Sequence, residues 1–179
     1  MLKNLFRTRS AERMGLPLYT AAVEQARDPA FYTTLGVTDE IDARFELYTL
    51  HVLLLILRLR DETGMDAEKG ADAAQNLFDV YVSALDNTLR ELGVNDVTMA
   101  KKMRRLGESL YGRMTTYEAP LRSGNTDELA DGLARNVYGV EDAGRGQGLA
   151  AYGLAARAGL ATQPIDAILT APVWPEVKA

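Results

Sequence analysis

Between Thr38 and Gly64 the chain carries two apolar stripes at helical spacing, and this pair restricts the fold more than any other feature. Ile41, Phe45, Tyr48, Val52, Leu55 and Leu59 recur every three, four or seven residues, and Leu47, Leu50, Leu54 and Leu57 repeat the pattern on an adjoining face. One stripe marks a helix lying on a core, whereas two mean burial around most of the circumference. The segment therefore predicts the central helix of a bundle. Thr38 is placed to cap it, Asp39 and Glu40 suit its N-terminal dipole, and Gly64 sits where a C-terminal stop belongs. A helix with so little free surface needs others to cover it.

The rest of the chain supplies them. Pro17 is a good first helical residue, which predicts a helix from there to about Ala26, ahead of Asp28-Pro29. A helix from about Asp66 to Leu92 turns Phe78, Tyr81, Leu85, Leu89 and Leu92 inward, with Gly70 near its start and Gly93 as its stop. Thr98 then caps a helix whose stripe is Met99, Met103, Leu106, Leu110, Met114 and Tyr117, and Pro120 and Gly124 are expected to end or kink it. Asn125 with Glu128 forms a capping-box pattern that opens a shorter helix to about Tyr138. An Ala- and Gly-rich helix from Arg145 to Ala158 and a short one after Pro164 follow. No alternating β-branched run and no fixed repeat is present. The expectation is an all-α fold, a single irregular bundle of six or seven helices. It divides as a basic N-terminal arm over residues 1–13, a helical domain over 14–170, and a proline-extended tail over 171–179.

With 179 residues the chain is the length of one domain and can bury a core without a staple. It has no cysteine, which excludes disulfides, thiolate metal sites and thiol nucleophiles, and its single histidine excludes a site built from two imidazoles. The formal net charge of −5 argues against whole-molecule attraction to DNA. No apolar signal region follows the first residues, and the run from Val52 to Leu57 is too short to span a bilayer and is closed by Arg58 and Arg60. A cytoplasmic protein is expected. The arm carries Lys3, Arg7, Arg9 and Arg13 against Glu12, with Leu2, Leu5 and Phe6 on one face. Three readings of it stand: a frayed terminus, a contact with a membrane surface, and the remnant of an organellar transit peptide, for which the arm is short.

Chemistry is sparse. Gly144-Arg145-Gly146-Gln147-Gly148 has no strand before it, so it reads as close helix packing rather than a nucleotide loop. Asp72, Asn76, Asp79, Ser83 and Asp86 line one helix face, and carboxylates seven residues apart lie about 10 Å apart along the axis, too far to share a metal ion. They read as a solvated face. His51 falls in line with Arg44, Arg58 and Glu62 on the one polar strip of the central helix. No serine, cysteine or second histidine supports a triad, and a hydrogen-bonded or solvent-facing histidine is expected in place of a catalytic or haem-binding one. Lys101, Lys102, Arg104 and Arg105, followed by Arg113, concentrate positive charge in an acidic chain. That cluster reads equally as a solvated flank and as a partner surface for anions. Met99, Met103 and Met114 read as core filler.

Three segments together resemble the ubiquinol–cytochrome c chaperone family. The longest holds Leu89-Arg90-Glu91-Leu92-Gly93-Val94, then Lys101-Lys102-Met103, then Tyr111-Gly112-Arg113. The second is His51-Val52-Leu53-Leu54-Leu55 with Arg58-Leu59, ahead of Leu77-Phe78-Asp79-Val80, and the third is Leu133-Ala134-Arg135-Asn136-Val137-Tyr138. Asn95 and Leu53 depart from the family pattern, where a glycine and an aromatic are common, and this puts in doubt that every client contact is kept. The resemblance implies a non-catalytic assembly factor, without cofactor, metal or small-molecule substrate, for the ubiquinol–cytochrome c reductase (bc1) complex. It would bind newly made cytochrome b, with the ribosome near the tunnel exit and a small partner protein as further contacts. It would work in the cytoplasm at the inner membrane, or on the matrix side in a mitochondrion. The partner-binding residues it points to are Lys101, Lys102, Arg104, Arg105, Tyr111, Arg113 and His51. A helical adaptor or scaffold for another respiratory or membrane complex is the alternative.

Overall fold

The central helix is covered from several sides. In the computed structural model, which describes the backbone of residues 2–91 and 96–178 and the side chains of residues 14–88, 108 and 110–178, it runs over Ile41–Arg60 and is α3 in chain order. Before it come α1 (Leu2–Ala26) and α2 (Pro29–Thr33). After it come α4 (Ala67–Glu91), α5 (Asp96–Ser123), α6 (Thr126–Val137), α7 (Gln147–Ala161) and α8 (Ile165–Thr170), with 3-10 turns at Gly64–Asp66 and Ala143–Gly146. No strand occurs among the described residues. The all-α bundle is as expected, with α2 added as a single five-residue turn.

α3 touches α1, α4, α5, α6 and α7. Every residue from Thr49 to Leu59 is buried, so the two stripes did mark a helix enclosed on most sides. Ile41, counted in the first stripe, is the exception at 70% exposed, because it stands on the first turn where α3 leaves the bundle. The cap also differs: Glu40 occupies the N-cap position without a side-chain hydrogen bond, two residues past Thr38.

Proline rules were overridden twice. α1 starts at Leu2 and runs through Pro17, and α5 runs through Pro120 to Ser123, where Gly124, at φ 73°, ends it as expected. Pro17 removes one amide donor, so a start there was the local expectation. Packing decides otherwise: Leu18, Ala22 and Ala26 have no exposed surface, and α1 lies along α4. At Gly15 the approach is so close that a Cβ would sit 2.3 Å from the carbonyl oxygen of Asn76. Asn76 is therefore half-buried under α1 rather than part of a solvated face. Asp72, Asp79 and Ser83 are exposed, as expected. α5 likewise begins at Asp96, which places Thr98 inside it rather than at its cap. Gly93, Leu89, Leu92, Met99 and Met103 lie outside the described residues or have side chains that do.

The remaining joints follow local chemistry. The Asn125 side chain accepts a hydrogen bond from the Glu128 amide at 3.2 Å, which is the cap predicted for α6, but the return contact differs: the Glu128 carboxylate accepts from the Asn125 side-chain amide at 3.2 Å, while the Asn125 backbone amide donates to the Pro120 carbonyl. Gly146 lies against α6, where a Cβ would be 2.0 Å from the carbonyl oxygen of Ala130. The glycine-rich segment is thus a packing joint. Residues 171–178 form no helix and lie on the bundle, with Val177 buried and Trp174 partly so.

Candidate functional site

The polar strip of α3 faces inward. His51 has no exposed surface. Its Nδ1 lies 2.7 Å from the Leu47 carbonyl oxygen, which can only accept, so Nδ1 carries the proton. Its Nε2 then accepts from the Tyr152 hydroxyl at 2.8 Å. The rings of Phe31, Tyr152 and Trp174 surround it at centroid distances of 5.3, 5.5 and 5.1 Å. Burial pushes the imidazole down to about pKa 4, with the Leu47 carbonyl opposing, and the ring is neutral at pH 7. Both nitrogens are committed inside the fold. Of the two expectations for His51 the hydrogen-bonded one describes it and the solvent-facing one does not, because α2, α7 and the tail close over that side of α3.

Seven residues on, Arg58 is only 8% exposed. Its Nε donates to the Leu160 carbonyl at 2.8 Å and its Nη2 to the Gln163 carbonyl at 2.5 Å, while Nη1 pairs with Glu62 at 2.6 Å. Leu160 stands in the last turn of α7 and Gln163 two residues past its end, where Arg58 adds to the local bond from the Gln163 amide to the Leu160 carbonyl at 3.2 Å. Gln163 passes the connection to the tail: its amide nitrogen donates to the Val173 carbonyl at 2.8 Å and its amide oxygen accepts from the Val173 amide at 2.9 Å. Trp174, the next residue, packs on His51. Arg44 alone on the strip is exposed, paired with Asp39 at 2.6 Å.

A second interior polar contact joins α3 to α5. Glu46 is 2% exposed, and its Oε1 accepts from Nε of Arg113. Its Oε2 is buried without a hydrogen-bond partner. Burial raises the carboxyl pKa, and the Arg113 guanidinium opposes that shift. Arg113 also lies 5.9 Å from the centroid of the Phe45 ring. Met114 and Tyr117 pack on the core, as the stripe predicted. On the other face of α5, Tyr111 is 75% exposed and Gly112 borders open space. Lys101, Lys102, Arg104 and Arg105 fall on the same helix, and their side chains lie outside the described residues.

An open groove of about 630 Å³ runs between α1 and the tail, lined in part by Leu16, Pro17, Thr20, Ala21, Pro172 and Trp174. Leu16 and Val173 expose apolar surface beside it. Among the described residues no group of three or more acids or histidines is placed to hold a metal ion, and no helix is long and apolar enough to cross a membrane.

The predicted site residues thus separate. His51 is enclosed, Arg113 is held at the boundary between core and surface, and Tyr111 is on the outside. Sequence reasoning missed Glu46, Phe31, Tyr152 and Trp174. Glu46 did leave a signal, as a carboxylate on a helix whose two stripes give it almost no free face. The aromatic shell left none, since its members come from α2, α7 and the tail.

Comparison with known proteins matches residues 33–174 to the family model described as ubiquinol-cytochrome C chaperone. A solved structure, the crystal structure of the Cbp3 homolog from Brucella abortus, superimposes with a TM-score of 0.80 at 30% sequence identity, covering 99% of this chain and 98% of that one. No curated protein matches the chain. The fold is an all-helical domain built around α3. This chain belongs to the ubiquinol–cytochrome c chaperone family.

Proposed function

We propose that this protein binds newly made cytochrome b and promotes its assembly into the ubiquinol–cytochrome c reductase complex, without catalysing a reaction. The observation that carries the reading is the family match over residues 33–174, joined by a structural relative that spans nearly the whole chain. The physical case agrees with a binding role. His51 and Arg58 commit their polar atoms inside the fold, and the groove between α1 and the tail is open and mixed in its walls, apolar at Leu16, Pro17, Pro172 and Trp174 and polar at Glu24 and Gln25. An unassembled membrane subunit offers apolar helices that such a groove can shelter, and charged loops that a basic helix can meet.

In this reading Lys101, Lys102, Arg104 and Arg105, with Tyr111 and Arg113, form the surface that meets acidic loops of the client or phosphates of the ribosome. His51 serves from inside, as the post on which Trp174 and one wall of the groove rest. The basic arm adds a contact with an anionic membrane surface, which would place the protein in the cytoplasm at the inner membrane. Deletion of the gene in its host tests the proposal. The expected result is selective loss of the b-type and c-type haem difference spectra of the bc1 complex in membranes. Cytochrome b at its full level would refute it.

A further inference from the structure

The Glu46–Arg113 pair is an unusual way to hold two helices together. Glu46 is 2% exposed, and half of its carboxylate has no partner. A buried ion pair is a weak source of stability, and an apolar side chain of similar volume generally does as well or better. A charge pair does supply direction. α5 meets the core through Leu110, Met114, Tyr117 and Leu121, spaced four, three and four residues apart. Slid by one helical turn, about 3.6 residues, that seam still brings an apolar residue near each apolar position: Leu110 near that of Met114, Met114 near that of Tyr117, and Tyr117 near that of Leu121. The apolar pattern alone therefore specifies the register weakly, and the close fit of Gly132 in α6 against Thr116 and Tyr117 helps to hold the C-terminal half of α5. Among the described residues, ion pairs that resist such a slip include the exposed Arg122–Asp61 bridge at 2.8 Å and the Arg113–Glu46 pair. Exposed bridges contribute little.

We propose that Glu46 is a positioning residue which, through Arg113, fixes the register of α5 on α3 and so sets where Tyr111 and the basic part of α5 are presented. The role of that face rests on the function proposed above; the register does not. A one-turn slip would carry Tyr111 about 5.4 Å along the helix axis, far enough to misplace every contact it makes.

The chain has no cysteine, so spin labels can be placed without background. Gly112 on α5 and Gly159 on α7 both border open space, and α7 is tied to α3 by Arg58. Labels at Gly112→Cys and Gly159→Cys should give one narrow distance in the otherwise native protein. Glu46→Gln and Glu46→Met, which keep the volume and remove the charge, should add a second population displaced by up to about 5.4 Å. Tagged full-length Glu46→Met should also lose capture of cytochrome b from solubilised host membranes. An unchanged single distance in both variants overturns the register. A displaced distance with capture at the native level overturns the link to the partner face. Loss of the fold in both variants overturns the proposal as well, since the pair would then be holding the bundle together. Absence of capture by the native protein counts against the client alone and leaves the distance result to decide the register.

Discussion

Replacing Arg58 by alanine should be among the most damaging single changes available on α3, although arginine is ordinarily a surface residue. The side chain joins three groups at once: the Leu160 and Gln163 carbonyls and the Glu62 carboxylate. Its exposure and that of Glu62 are 10% and 17%, so neither end is well screened by water. Alanine leaves the Gln163 carbonyl without its Arg58 donor, the Leu160 carbonyl dependent on backbone amides such as that of Gln163 at 3.2 Å, and the Glu62 carboxylate without its cation. Removing one member of a buried pair typically costs about 3–5 kcal/mol, and the three contacts act as one unit, so their separate values are not added. For a chain of this length that corresponds to a fall in Tm of about 6–20 °C. A second signal should accompany it. Gln163 holds Val173 by two hydrogen bonds, and Trp174 is the only tryptophan, so loosening the end of α7 should release the tail and shift tryptophan emission to the red. Arg44→Ala is the matched control: the same residue type on the same strip, paired in the open with Asp39, and expected to leave both readouts where they are. A Tm for Arg58→Ala within about 2 °C of the native value, measured by circular dichroism, would refute the reasoning.

Acid should destabilise the protein through His51. Its pKa falls from 6.5 to about 4 on folding, so between these values the unfolded chain binds a proton that the folded one refuses, and stability falls as pH drops through that window. The loss should reach about 2–3 kcal/mol near pH 4.5, read as the urea midpoint, and should appear as the pH-dependent difference between native protein and His51→Gln, which lacks it. Glu46, whose pKa burial raises, acts in the opposite sense and is common to both proteins. Gly146→Ala should destabilise by about 1–3 kcal/mol or more, because the new methyl meets backbone of α6, while Gly159→Ala, into open space, should stabilise by about 0.4–1 kcal/mol; thermal melts of the pair that show equal effects would contradict the packing assigned to Gly146. Reversing Lys101, Lys102, Arg104 and Arg105 to glutamate should leave the circular dichroism spectrum intact and abolish the salt-sensitive part of client or ribosome binding; co-purification at the native level would remove that surface from the function.

The amino-acid sequence alone determined that α3 is enclosed, because two apolar stripes on one helix leave no wide face for water, and the residues from Thr49 to Leu59 are all buried. It also determined the Asn125 cap on the Glu128 amide and, among the described residues, the inward row of Leu110, Met114 and Tyr117 on α5, since caps and periodicity are read within a few residues. It aligned His51 with Arg58 and Glu62 but could not tell what they would meet, because the partners come from 101 and 102 residues away in the chain. Pro17 shows the same division. The local rule starts a helix there, and the contact of Gly15 with Asn76 carries the helix through it instead. Spacing along the chain fixes which residues share a face. Only the assembled bundle decides which buried charge finds its counterpart, because that depends on where distant helix ends and the tail come to rest.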